Sequence, residues 1–193
     1  MDAHHLAPNA LAANPRLATM ADVPALNQLI ATSARALSVG FYSNDQIEAL
    51  IRHVFGVDSQ LIADETYYVI DAPDGSPAAA GGWSARRTLY GGDQMKGAAD
   101  RRLDPATESA RIRAFFVEPR WARRGLARSL YRACAAAAQA AGFTSLELMA
   151  TLPGEPLYRA LGFAAVERVE TTLPGNVSVT FVRMTRPLDS VPV

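Results

Sequence analysis

"ARIRAFFVEPRWARRGLARSL", residues 110–130, is the stretch on which the fold turns. Its first eight residues have the composition of a strand, and Pro119 ends it because proline has no N–H for the ladder. Arg120, Arg123, Arg124 and Arg128 then crowd around Gly125, and an amphipathic helical pattern follows at once. That helix is predicted to run to about Ala141, with Leu126, Leu130, Cys134, Ala137 and Ala141 on its inner face. Gly142 stands where a left-handed C-terminal cap belongs. "TSLELMA", residues 144–150, reads as the next strand.

Working outward from that crossover, "RLATMADVPALNQLI" begins as a short strand and turns helical at Asp22, an N-cap, with Pro24 in the first turn. A second helix is expected in "SNDQIEALIRHVFG", where Ile47, Leu50, Ile51 and Val54 repeat at helical spacing, His53 marks the boundary and Gly56 stops it. "TYYVIDA" and "AAAGGWSA" pair as a hairpin across the turn "PDGSP". The stretch around residues 91–107 is long, polar and glycine-rich, either a lid over a site or an exposed excursion. After the fifth strand, "EPLYRALGF" is a short helix stopped by Gly162, and "AAVERVETT" and "NVSVTFVRM" are two further strands around "LPG". Hairpins at both ends and a strand, helix, strand crossover between them make the class α+β with a mixed sheet. A single domain over residues 16–187 is expected, with tails at 1–15 and 188–193.

Composition narrows the functions. Nineteen basic and nineteen acidic residues give a formal charge of zero, so no global field draws the chain to nucleic acid or to an anionic membrane. The longest near-apolar run, in the alanine-rich helix, falls short of the roughly 20 residues of a membrane span. The N-terminus does not read as a signal peptide, and the single cysteine, Cys134, reads as a packed side chain. A cytoplasmic protein is the expectation. His4 and His5 have no third ligand nearby in sequence, so no metal site is expected.

The junction at Gly125 has its own chemistry. The first N–H groups of a helix lack partners, and the aligned peptide dipoles add about half a positive charge there. Glycine removes the Cβ that would hold a phosphate away from the main chain, and Ala127 is nearly as small. Arg123, Arg124 and Arg128 add charge, although eighteen of the nineteen basic residues are arginine and a solvated helix face would look the same. Neither a G-x-x-x-x-G-K-[ST] loop nor a strand-linked G-x-G-x-x-G is present, so P-loop and Rossmann modes do not apply.

Residues 111–163, with the opening "RLATMADVPALNQLI" and the "LYRALGF" helix, strongly resemble the GNAT superfamily of acyl-CoA-dependent N-acyltransferases. The family's [QR]-x-x-G-x-[GA] turn, which wraps the pyrophosphate of coenzyme A, falls on Ala122, Arg123, Arg124, Gly125, Leu126 and Ala127, with alanine in place of the first residue. The resemblance implies a mostly antiparallel mixed sheet splayed between the fourth and fifth strands, with helices on both faces. It implies that acetyl-CoA lies in the splay along Phe116 and Val117, with the Val117 N–H facing the thioester oxygen and no metal required. Tyr158 falls where many relatives carry a general acid for the departing thiolate, and Thr151 where many carry an asparagine that contacts the cofactor.

The general base is open. The strand positions where some relatives have glutamate or histidine hold Arg111 and Arg113, and a guanidinium cannot accept a proton. These two share a strand face, so either they clamp an anionic group of the acceptor or they pair with Glu147 or Glu108. Glu118 or a water chain is left as the base. The expected activity is N-acetylation of a small-molecule or peptide amine, in a pocket lined by the two N-terminal helices and the 91–107 loop, with Phe41, Tyr42 and Trp83 as apolar wall. Two rivals stand beside it: a non-catalytic acyl-CoA-binding regulatory domain, and a structural domain whose arginines dock acidic partners. A terminal hairpin could pair across a homodimer.

Overall fold

The computed structural model describes residues 14–97 and 100–188. The expected tails, with His4 and His5, lie outside these residues up to 13 and from 189 onward. Seven strands form one sheet: β1 (Arg16–Leu17), β2 (Tyr67–Asp71), β3 (Pro77–Ser84), β4 (Ala110–Val117), β5 (Ser145–Thr151), β6 (Ala164–Leu173) and β7 (Val177–Pro187), in the spatial order β1-β2-β3-β4-β5-β7-β6. Every neighbouring pair is antiparallel except β4 and β5, which the crossover makes parallel.

Five helices cover the two faces: α1 (Val23–Leu37), α2 (Asn44–His53), α3 (Ser59–Ala63), α4 (Leu126–Ala140) and α5 (Glu155–Ala160). Alternation along the strands decides which side chain meets which layer. Leu26, Leu29 and Ile30 of α1 pack with Tyr67, Val69 and Ala80, and Ile47 and Leu50 of α2 with Val179 and Phe181. On the opposite face, Leu126 and Leu130 of α4 meet Ile70, Ala78 and Ala79, while Cys134 and Ala138 meet Ala110, Ile112, Leu146 and Leu148. Truncating one of these leucines to alanine would cost about 2–5 kcal/mol. Among the described residues no helix is long and apolar enough to cross a membrane.

Several local expectations change. The inner stripe of α4 continues from Cys134 to Ala138, with Tyr131 beside it, while Ala137 is half-buried and Ala141 exposed. A 3.6-residue period carries the stripe that way. Asp22 holds the N-cap position of α1 with Pro24 in the first turn, as expected, but its side chain caps no N–H of that helix. It sits in a 3-10 turn (Met20–Asp22), where its carboxylate accepts from the Thr19 N–H at 2.7 Å and from Arg16 at 2.9 Å. Helix α2, opened by a Ser43/Gln46 capping box, ends at His53 before reaching Gly56. Helix α3 was not anticipated. Its N-cap is Asp58, whose carboxylate accepts from the Gln60 N–H at 3.0 Å.

Candidate functional site

Strands β4 and β5 pair at Ala110 with Leu146 and at Arg111 with Glu147, and no further. Beyond that point β5 follows β7, while β4 stays with β3 through an irregularity: Gly82 opposes Arg113 but Ala80 opposes Phe116. The extra residue is a bulge, and Ala114 takes a left-handed φ of 53° within it. The adjacent glycines of β3 make room, since a Cβ at Gly81 would overlap the Phe115 ring and one at Gly82 would come 2.6 Å from the Thr66 carbonyl. A cavity of about 230 Å³ opens where the two strands part. Phe115 faces the α5 side, where its ring lies 6.3 Å from that of Tyr158; Phe116 faces α1 and α2, where its ring meets Phe55 edge to face at 5.4 Å. The cavity therefore runs through the sheet from one layer to the other.

At one end of this opening stands the start of α4. Arg123 and Gly125 both adopt left-handed backbone, with φ of 62° and 84°. A Cβ at Gly125 would meet no protein atom within 4 Å, so backbone angle, not crowding, demands glycine there. The first N–H of this helix to find an acceptor is that of Ser129, which donates to the Gly125 carbonyl at 3.0 Å; among the described residues the N–H groups of residues 123–128 donate to none. Leu126 buries its side chain in the core and fixes the helix end, and Ala127 lines the cavity. Arg123, Arg124 and Arg128 are exposed with no carboxylate partner among the described residues, the Arg124 guanidinium resting 4.8 Å over the Trp121 ring.

Val117, Thr151 and Tyr158 line the same cavity. The Val117 N–H points away from β3 and donates to Ser33 Oγ of α1 at 3.2 Å, a contact the sequence did not suggest. Thr151 Oγ1 accepts from the Gly154 N–H at 3.2 Å, steadying the turn into α5. The Tyr158 ring is wedged against Phe115 and Phe163, its hydroxyl makes no hydrogen bond among the described residues, and burial pushes its pKa up. That phenol keeps its proton at neutral pH, and no protein acceptor among the described residues holds it.

The two β4 arginines do not form a clamp. Arg111 is bound to Glu147, which Arg183 also reaches at 2.9 Å, and does not line the cavity. Arg113 lines it but is only 3% exposed. It donates to Asp58 at 2.9 Å and to the carbonyls of Thr88 and Gly91 at 2.8 and 2.7 Å. Asp58 also takes Lys96, the chain's one lysine. The glycine-rich loop is thereby fastened: Gly92 and Gln94 further donate to the carbonyls of Val54 and Phe55 at 2.9 Å, and Leu89, Tyr90 and Gly91 form part of the cavity wall.

The apolar wall is also made of other residues than expected. Phe41 is exposed, Tyr42 bridges the Thr180 carbonyl and the Leu152 N–H at 2.6 and 3.0 Å, and Trp83 packs on Phe143 under α4. Phe55, Tyr90, Phe116, Met149 and Phe181 take that place. Among the described residues lining the cavity none is aspartate, glutamate, histidine or lysine; Glu118 follows the cavity-lining Val117 but does not itself line the cavity.

A family model described as an acetyltransferase (GNAT) domain matches residues 88–185. No curated protein matches the sequence. Among solved structures, a GCN5-related N-acetyltransferase from Rhodopseudomonas palustris superposes with a TM-score of 0.66 at 19% identity, covering 91% of this chain and 95% of its own. A phosphinothricin acetyltransferase from Sinorhizobium meliloti, solved with AcCoA, gives 0.60 at 18% identity over 91% and 88%. The PaiA N-acetyltransferase of Thermoplasma acidophilum, solved with coenzyme A, gives 0.59 at 12% over 90% and 98%. At these identities the likeness is one of fold.

Proposed function

The chain belongs to the acetyltransferase (GNAT) family, and on that premise we propose that it transfers an acetyl group from coenzyme A to an amine by direct attack, in a cytoplasmic setting. The observation that carries the proposal is the run of unpartnered N–H groups at residues 123–128 beside a cavity that cuts through the sheet. A diphosphate fits that turn: it needs several donors at once, a backbone that no Cβ screens, and no carboxylate to repel it. Leu126 and Ala127 would contribute N–H groups, and Arg123, Arg124 and Arg128 charge.

Acetyl-CoA supplies an activated thioester. Phe116 and Val117 would line its arm, with Thr151 on the opposite strand. The Val117 N–H, held now only by Ser33 Oγ at 3.2 Å, is the donor aimed where negative charge develops on the thioester oxygen, and the Ser33 hydroxyl retains a proton that can serve the same oxygen. Tyr158 gives its proton to the departing sulfur. For Arg111 and Arg113 no acceptor-binding role is retained, since both are satisfied by carboxylates of the protein itself.

One observation favours a second reading, a regulatory domain that binds acyl-CoA without chemistry: no basic carboxylate or imidazole lines the cavity among the described residues. Release of free thiol from acetyl-CoA with pooled amines separates the two. Amine-dependent thiol supports the enzyme; binding without it supports the regulatory domain. Tyr158→Phe should lower kcat by about 100-fold, the low end for a proton donor to a fair leaving group, while acetyl-CoA affinity stays within about twofold, because only the proton donor is removed. An unchanged kcat would reduce Tyr158 to a packing residue.

A further inference from the structure

We infer that the acceptor is an aromatic amine whose nitrogen is unprotonated at neutral pH, and not an alkylamine, a polyamine or a lysine side chain. The inference rests on the acetyltransferase reading above and specifies its substrate.

The part of the cavity on the α1 and α2 face, where an acceptor would approach the thioester from the side opposite Tyr158, is built from Phe55, Tyr90, Phe116, Met149 and Phe181. The rings stand as two pairs, Phe55 with Phe116 at 5.4 Å and Tyr90 with Phe181 at 5.3 Å, one on the β4 side of the splay and one on the β7 side. Such walls accept a planar ring edge to face or offset. The charged side chain among the lining residues is Arg113, a cation. Its partner Asp58 is buried and already held by both Arg113 and Lys96, so it has nothing to offer an incoming ammonium. An alkylammonium would have to give up water for an apolar enclosure whose nearest fixed charge is of its own sign, which opposes its entry.

The missing base is explained by the same choice. An alkylamine of pKa near 10 is neutral in only about one molecule in a thousand at pH 7 and must first lose a proton. An aromatic amine arrives with its lone pair free. That pair forms the C–N bond to the thioester carbonyl carbon, and the C–S bond breaks with its electrons leaving on sulfur. The nitrogen, strongly acidic once acylated, releases its proton. That proton goes to solvent, and the thiolate, of pKa about 8.5, is basic enough to take one from Tyr158 on its own side, which solvent then reprotonates. The products are the anilide and free coenzyme A, and atoms, charge and electrons balance with no protein carboxylate or imidazole.

The test compares aniline with benzylamine and spermidine at pH 7, scored as kcat/KM for thiol release, with acetyl-CoA binding titrated in parallel. Aniline is almost wholly free base at pH 7 while benzylamine and spermidine are mostly ammonium; because aniline's free base is the weaker nucleophile, the preference must come from exclusion of the ammonium by the apolar wall, and a ratio of at least about tenfold over benzylamine is expected. Leu37→Glu, which puts a carboxylate at the exposed lip of the cavity (Leu37 is 39% exposed), should shift the benzylamine-to-aniline ratio upward by about tenfold. If acetyl-CoA binds and benzylamine or spermidine is preferred, the inference is overturned while the acetyltransferase stands. Binding without transfer to any amine overturns the inference and favours the regulatory domain. Absence of acetyl-CoA binding removes both the inference and the reading beneath it.

Discussion

The arginines of β4 and those at the start of α4 are close in the chain and opposite in circumstance. Arg113 is buried, with every contact made to the protein's own oxygens, and Arg111 is bound to Glu147. Arg123, Arg124 and Arg128 are exposed without a carboxylate partner among the described residues, beside N–H groups that also have no acceptor. The same side chain is structural where the fold delivers a carboxylate to it and a ligand donor where the fold withholds one. Residue type alone does not distinguish the two cases; the surroundings that β4 and α4 reach do.

Breaking the buried set should have the largest effect. Arg113→Met leaves Asp58 with Lys96 as its one cationic partner among the described residues and two carbonyls of the loop without a donor, and should destabilise the protein by about 3–5 kcal/mol in denaturant unfolding. A loss under about 1 kcal/mol would mean that the cluster is dispensable and the contrast false. At the other site, Gly125→Val should weaken coenzyme A binding by about 100-fold. Because Gly125 has φ of 84°, the change also strains the backbone by about 1–2 kcal/mol, so Gly75→Val, at φ of 80° with equally open surroundings, is the matched control. Both variants should lose similar stability, and only the first should lose the ligand.

Replacing Arg123 and Arg124 together by alanine should raise the Kd for coenzyme A about tenfold, flatten its dependence on salt, and change stability by less than about 0.5 kcal/mol. A third kind of arginine tests the middle ground. Arg16 is exposed yet paired with Asp22 and Asp71, and its hydrogen bonds pull the Asp22 pKa down to about 2. A carboxylate with a depressed folded-state pKa stabilises above the unfolded value near 3.9 and ceases to do so as pH falls toward 2. Asp22→Asn should therefore cost less than about 1 kcal/mol at pH 7, and the difference should close between about pH 4 and pH 2. A difference that persisted at pH 2 would point to packing instead.

The parts of the molecule legible in the sequence are those set by neighbours in the chain. The strand at 110–117, the glycine that opens α4, the Gly142 cap with φ of 91° and the two terminal hairpins follow from turn chemistry and periodicity. What escaped depends on contacts across the chain. Asp58 looks like a surface acid in "VDSQL", and nothing local says that Arg113 will reach it from β4. Phe55, Tyr90 and Phe181 come from three separate elements, so no spacing in the sequence gathers them into one wall. Tyr42 and Trp83 carry the same ambiguity in the sequence: each is aromatic, wall or packed core, and only the packing tells a strut from a wall. The Gly81–Phe115 contact could have been suspected from the paired glycines opposite a double phenylalanine, which is the pattern a bulge requires.

The most direct test of the central claim is amide hydrogen exchange across residues 120–130 with and without coenzyme A. Slowed exchange at residues 123–128, with Ser129, already bonded to the Gly125 carbonyl, changing little, is the result the account predicts. Saturating coenzyme A that leaves those amides exchanging as before would contradict it.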